Sequence, residues 1–262
     1  MAISRQMLFK EFFTPPLIAS ILPVTLDTMK RLFLITSALL TSIAPSLAAQ
    51  DIQSIVRAVE ARYQHASTLE AVFLERFTDG HQGIRVESGR VFFSRPGRMR
   101  WEYESPETKL FLVDGKNVWF YVPADRTVSR AAVKQSNDWR TPFALLTGKV
   151  NLNRLCGHLE FPSTSPSAAN DRPTEQGNIV LRCLPPKHDP ANDPDFFEEI
   201  LFEVDPQNRL ARIVIREPGK SETEFRFGNW QENLSIQESK FHFELPPGVT
   251  IVNQADLAGA IR

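Results

Sequence analysis

Residues 51–66, DIQSIVRAVEARYQHA, carry Ile52, Ile55, Val56, Val59 and Tyr63 at helical spacing, with Asp51 in the N-cap position. The spacing predicts one amphipathic helix that lays its apolar stripe on another layer. After it the period falls from 3.6 to 2. Alternation predicts strands over 69–78, 84–94, 98–104, 109–114, 117–122 and 126–131, with Asp79-Gly80 and Asp114-Gly115 as hairpin turns. The cleanest alternation sets Met99, Trp101 and Tyr103 between Arg98, Arg100, Glu102 and Glu104, directly after Arg95-Pro96-Gly97. Val91-Phe92-Phe93, Leu110–Val113 and Val118–Val122 are apolar at consecutive positions, so this sheet must be covered on both faces.

The period breaks at Thr141-Pro142-Phe143-Ala144-Leu145-Leu146-Thr147-Gly148, where a Thr N-cap, Pro at N1 and a terminal Gly predict a short, apolar helix. Such a helix is buried, or it covers an apolar opening. Residues 162–177 and 185–195 are polar, Pro-rich loops. Strands resume over 178–184, 197–204, 209–216, 222–227 and 240–245. The whole reads as one α+β domain: a large antiparallel sheet with one long and one short helix, curling toward a barrel.

Ahead of the first helix, residues 29–48 read as a signal peptide: Lys30-Arg31, an apolar run from Leu32 to Leu40, and Ser46-Leu47-Ala48 for cleavage. Residues 1–28 are an upstream extension, and 49–262 form the single exported domain. Composition changes little: 42% hydrophobic, 23% charged and a net charge of −1 describe an ordinary globular chain without the basic surface that grips nucleic acid. Export makes the two cysteines, Cys156 and Cys183, a candidate disulfide.

Catalytic motifs fail one by one. Gly219-Lys220-Ser221 lacks the phosphate-loop glycine five positions before Gly219, where Val214 stands, and neither GxSxG nor HExxH occurs. His65, His81, His158, His188 and His242 are scattered, and Cys156-Gly-His158 has no second local partner. The acidic run Asp189–Asp195 lacks the alternating ligands of a calcium loop, so no metal site is expected.

RPGRMRWEYESPETKLFLVDGKNVWFYVP (95–123), TPFALL (141–146) and FHFELPPGV (241–249) resemble the periplasmic outer-membrane lipoprotein carrier proteins, the LolA family. The resemblance implies an unclosed antiparallel β-barrel of about ten to eleven strands, with an N-terminal helix and a short lid helix over a hydrophobic cavity. It implies a monomeric periplasmic chaperone that takes acylated lipoproteins from an inner-membrane ABC release complex toward an outer-membrane receptor, without catalytic residues or cofactors. It also assigns Arg95 as a latch bonding backbone carbonyls of the lid near Leu146 and Thr147. A guanidinium carries five donors and stays charged, so its burial requires such acceptors. Met99, Trp101, Tyr103, Phe143 and Leu146 are then the lipid-facing residues. A lipid or lipoprotein sensor of similar fold, or an enzyme acting on lipid, are the competing readings.

Overall fold

Asp51 opens helix α1 (Ile52–His65) by accepting the backbone N–H of Gln53 on its side chain, and Ile55, Val56, Val59 and Tyr63 form the buried stripe. A computed structural model describes residues 51–79, 83–133, 145–146, 151–162, 171–186, 197–219 and 221–253. After α1 the chain enters β1 (Thr68–Asp79), then β2 (Gly83–Ser94), β3 (Arg98–Ser105), β4 (Lys109–Val113), β5 (Asn117–Val122) and β6 (Thr127–Ala132). A one-turn helix α2 (Leu152–Leu155) precedes β7 (His158–Glu160), β8 (Ile179–Leu184), β9 (Glu199–Val204), β10 (Leu210–Glu217), β11 (Ser221–Glu232) and β12 (Thr250–Asn253).

All these strands join one sheet in the order β12-β6-β5-β4-β3-β2-β1-β11-β10-β9-β8-β7. Hairpin connections make the neighbours antiparallel, and β1 sits mid-sheet because β11 returns to pair with it, Phe73 opposite Phe227 and Glu75 opposite Phe225. Among the described residues the terminal strands β12 and β7 do not pair, so the sheet is unclosed. The described residues form twelve strands against the expected ten to eleven, and the sheet is not wholly antiparallel, since β12 runs parallel to β6. Three-residue β7 is too short to show a period.

One expected strand is not a strand. Within 240–245 the chain forms a 3₁₀ turn, Glu238–Phe241, and then crosses the outer face of the sheet. Phe241 packs with Phe92 and Leu112, while Phe243 stacks on Trp119 at 4.9 Å. Alternation there records one side of a segment lying on an apolar surface, and Pro246-Pro247 then removes the donors that a strand requires.

Both faces of the sheet are therefore covered. The inner face carries the main apolar cluster, which joins α1, α2, Leu145 and Leu146 to residues of most strands. Beneath residues 171–178 the outer face holds a buried ionic group. Arg212 Nε meets Glu203 Oε2 at 2.6 Å, and Glu203 Oε1 accepts from Asn178 Nδ2 at 2.8 Å and from the Thr174 hydroxyl at 2.7 Å. Arg212, Glu203 and Glu224 are each at most 2% exposed. Burial alone would raise the Glu203 carboxyl; the donors from Asn178 and Thr174, with Arg212 beside it, hold it below its ordinary value.

Candidate functional site

Strand alternation builds the inner face. Along β1 it presents Leu69, Ala71, Phe73 and Glu75; along β3 it presents Met99, Trp101 and Tyr103, while Arg98, Arg100 and Glu102 take the other side. Trp101 is the centre of an aromatic group, edge-on to Phe73 at 4.8 Å, Phe225 at 5.4 Å and Phe93 at 6.1 Å. Such pairs add about 0.5–1.5 kcal/mol each beyond their burial. Met99, Trp101 and Tyr103 are thus brought together on one face, all buried.

The cover over this face is α1 with Leu145, Leu146, Leu152 and Leu155, all in the same cluster. Leu146 is 1% exposed. Phe143 and Thr147, together with the rest of the expected short helix, lie outside the described residues. Helix α2, further along the chain, is firmly tied down. The Leu152 N–H donates to Glu60 Oε1 of α1 at 2.8 Å, and a disulfide joins Cys156 to Cys183 of β8 with Cα atoms 5.3 Å apart.

Arg95 begins the turn Arg95-Pro96-Gly97 between β2 and β3 rather than lying in a strand. Its backbone N–H donates to Ser67 O at 3.1 Å, fixing the turn against the start of β1. The guanidinium Nη2 donates to the carbonyl of Tyr63, in the last turn of α1, and not to the expected carbonyl at Leu146; Thr147, the other expected partner, lies outside the described residues. That carbonyl has no acceptor role inside the helix, so a cation at the helix C-terminus both satisfies it and meets the negative end of the dipole. Arg95 Nε is buried without a hydrogen-bond partner, and burial lowers the guanidinium from its ordinary value. Tyr63 is itself fixed: its hydroxyl accepts the Leu210 N–H at 2.8 Å, and Trp230 stands edge-on to its ring at 6.0 Å.

Sequence reasoning missed a polar end to the inner face. Glu75 and Glu87 are register partners on β1 and β2, each 6% exposed. Glu75 accepts the Tyr103 hydroxyl at 2.8 Å; Glu87 pairs with Lys109 Nζ at 2.5 Å and Arg85 Nε at 3.4 Å. Burial raises the Glu75 carboxyl to about 7. The available signal was phase: Glu75 occupies the apolar position of β1. A separate groove of 390 Å³, lined by Arg100, Leu110, Tyr121, Lys240 and Phe243 among others, lies on the opposite face from Trp101.

The sequence profile described as outer membrane lipoprotein carrier protein LolA matches residues 64–156. An outer-membrane lipoprotein carrier protein of Chromobacterium violaceum is 30% identical over 227 residues, covering 86% of this chain and 99% of the relative. That of Nitrosomonas europaea is 28% identical over 203 residues, covering 76% and 89%. A solved structure of a LolA superfamily protein from Nitrosomonas europaea aligns with a TM-score of 0.41 at 11% identity, over 74% of this chain and 99% of that one. With a relative matched at this identity along nearly its whole length, the chain belongs to the outer-membrane lipoprotein carrier protein family, LolA.

Proposed function

We propose that this protein is a periplasmic carrier that shields the acyl chains of lipoproteins on the inner face of its sheet and releases them at the outer membrane. The observation that supports it most is an apolar, aromatic-rich inner face covered by α1, whose C-terminal carbonyl at Tyr63 takes the Arg95 guanidinium from the β2–β3 turn. Each methylene removed from water gains about 0.8 kcal/mol, so one ~16-carbon chain is worth on the order of 10 kcal/mol. Acyl chains laid on that face can therefore replace the apolar contacts that α1 makes with it. On this reading Arg95 is the latch, Leu146 with Phe143 and Thr147 belongs to the cover, and Met99, Trp101 and Tyr103 meet the chains. Residues 29–48 direct export, residues 49–262 are the working domain, and no bond of the cargo is made or broken. Loading energy then comes from an inner-membrane ABC complex, and an outer-membrane receptor takes the cargo.

Purified protein is expected to release acylated lipoprotein from spheroplasts and to return it unchanged in mass; no release, or cleaved lipid, overturns the carrier reading. The Arg95→Leu variant is expected to load but to release poorly. A hydrogen bond from a charged donor contributes about 1.5–3 kcal/mol, so transfer to acceptor membranes should slow roughly ten- to a hundredfold. Transfer at the wild-type rate would show that Arg95 is not the latch.

A further inference from the structure

Glu75 has no part in a latch and is costly where it stands. It shares the inner face of β1 with Leu69, Ala71 and Phe73, and it is only 6% exposed. The Tyr103 hydroxyl donates to Oε2 at 2.8 Å; among the described residues Oε1 accepts no hydrogen bond and no cation is paired with this carboxyl. Its neighbour Glu87 differs. Lys109 at 2.5 Å and Arg85 at 3.4 Å are both engaged on Glu87. A carboxyl in an apolar surround, with one oxygen given no donor by the described residues, offers an acceptor that a ligand can use.

We propose that Glu75 recognises the polar head of the acylated cargo, its unbonded oxygen accepting an N–H from a molecule whose chains lie on the adjoining apolar face. The inference rests on the carrier reading and adds a head site to it. Its support is the order of groups along β1 and β3, which flank β2: Phe73 is followed on the same face by Glu75, and Trp101 by Tyr103. The Phe73 ring lies edge-on to both Trp101 and Tyr103, at 4.8 and 5.0 Å. The surface thus runs from aromatic to carboxyl, matching an amphiphile from chain to head. The chemistry required is an N–H donor, met either by the α-ammonium of a diacylated lipopeptide or by the amide of its N-acylated form. The titratable groups facing Glu75 are Glu87 and Arg85 from β2, Tyr103 from β3 and Lys109 from β4.

Displacement of a fluorescent acyl probe from the full-length protein, by a synthetic diacylated lipopeptide, its N-acylated counterpart and dipalmitoylglycerol, tests this. Dipalmitoylglycerol offers chains but no N–H. The readout is the ratio of lipopeptide to dipalmitoylglycerol affinity within each protein. In the wild type both ratios should exceed one. A carboxyl titrating near 7 is ionised in about one molecule in eleven at pH 6.0 and about three in four at pH 7.5. The diacylated ratio should therefore grow about eightfold across that interval, and the amide ratio much less. Glu75→Gln should flatten the pH dependence, and Glu75→Leu should bring both ratios to one. A growing ratio in Glu75→Gln, or a wild type that ignores the head group, overturns the head site and leaves the carrier standing. Failure of every acyl compound to displace the probe overturns the carrier reading and the head site together.

Discussion

Glu75 also makes a prediction about stability that needs no ligand. In the folded protein burial holds its carboxyl near 7, whereas in the unfolded chain it returns to its ordinary value near 4.5. Between those values the folded state keeps a proton that the unfolded state has lost. Stability contributed by this group is thus fully present below about pH 4.5 and falls as pH rises toward 7. At about 1.4 kcal/mol per pH unit, the full loss amounts to about 3 kcal/mol, complete above pH 7. Glutamine at this position keeps an acceptor for the Tyr103 hydroxyl and cannot ionise. Urea unfolding followed by tryptophan fluorescence at pH 5, 6, 7 and 8 should therefore show Glu75→Gln drawing ahead of the wild type, from a small difference at pH 5 to about 3 kcal/mol at pH 8. Glu203 and other displaced carboxyls contribute equally to both proteins, so the difference isolates Glu75. A gap that stays constant across the series would refute the assignment of a neutral, buried carboxyl.

Arg212→Met should cost about 3–5 kcal/mol in denaturant unfolding, because Glu203 would be left buried without its cation, whereas Glu224 keeps Arg76 and Arg226. A loss below 1 kcal/mol would mean that the Glu203 carboxylate reaches water. Replacing Cys156 and Cys183 by alanine together releases a loop with a sequence separation of 27, worth about 3.5 kcal/mol by chain entropy. Amide exchange at Leu152–Leu155 should accelerate in that variant more than exchange in β1; equal acceleration throughout would show that the bridge does not anchor the cover locally.

The elements with a single apolar stripe were legible in the sequence. Helix α1 and strands β1, β3, β5 and β6 fall where the periods of 3.6 and 2 place them, and β2 and β4, buried on both faces, are marked instead by consecutive apolar residues. Legibility failed where alternation and burial part company. In β2 the apolar Ile84 and Val86 are 64% and 47% exposed, while Glu87 turns inward, because β1 pairing brings Glu87 opposite Glu75. The segment 240–245 alternates like a strand yet lies across the sheet, since Phe241 and Phe243 seek apolar surface and not a backbone partner. Within the candidate site, the shared face of Met99, Trp101 and Tyr103 follows from spacing alone. The Arg95 acceptor does not: Tyr63 O stands 32 residues earlier, and no local pattern marks it. Glu75 was visible only as a charge in an apolar phase, which also describes many strand ends.

The free margins of the sheet, β12 on one side and β7 on the other, bear on what such a protein can hold. In a closed barrel, strand number and shear dictate the radius. Here, among the described residues, no ring of backbone bonds sets the girth. Spreading the two margins apart breaks side-chain contacts across the interior but leaves every strand ladder intact. On the proposed carrier reading, loads of different bulk then require only different degrees of spreading of one scaffold.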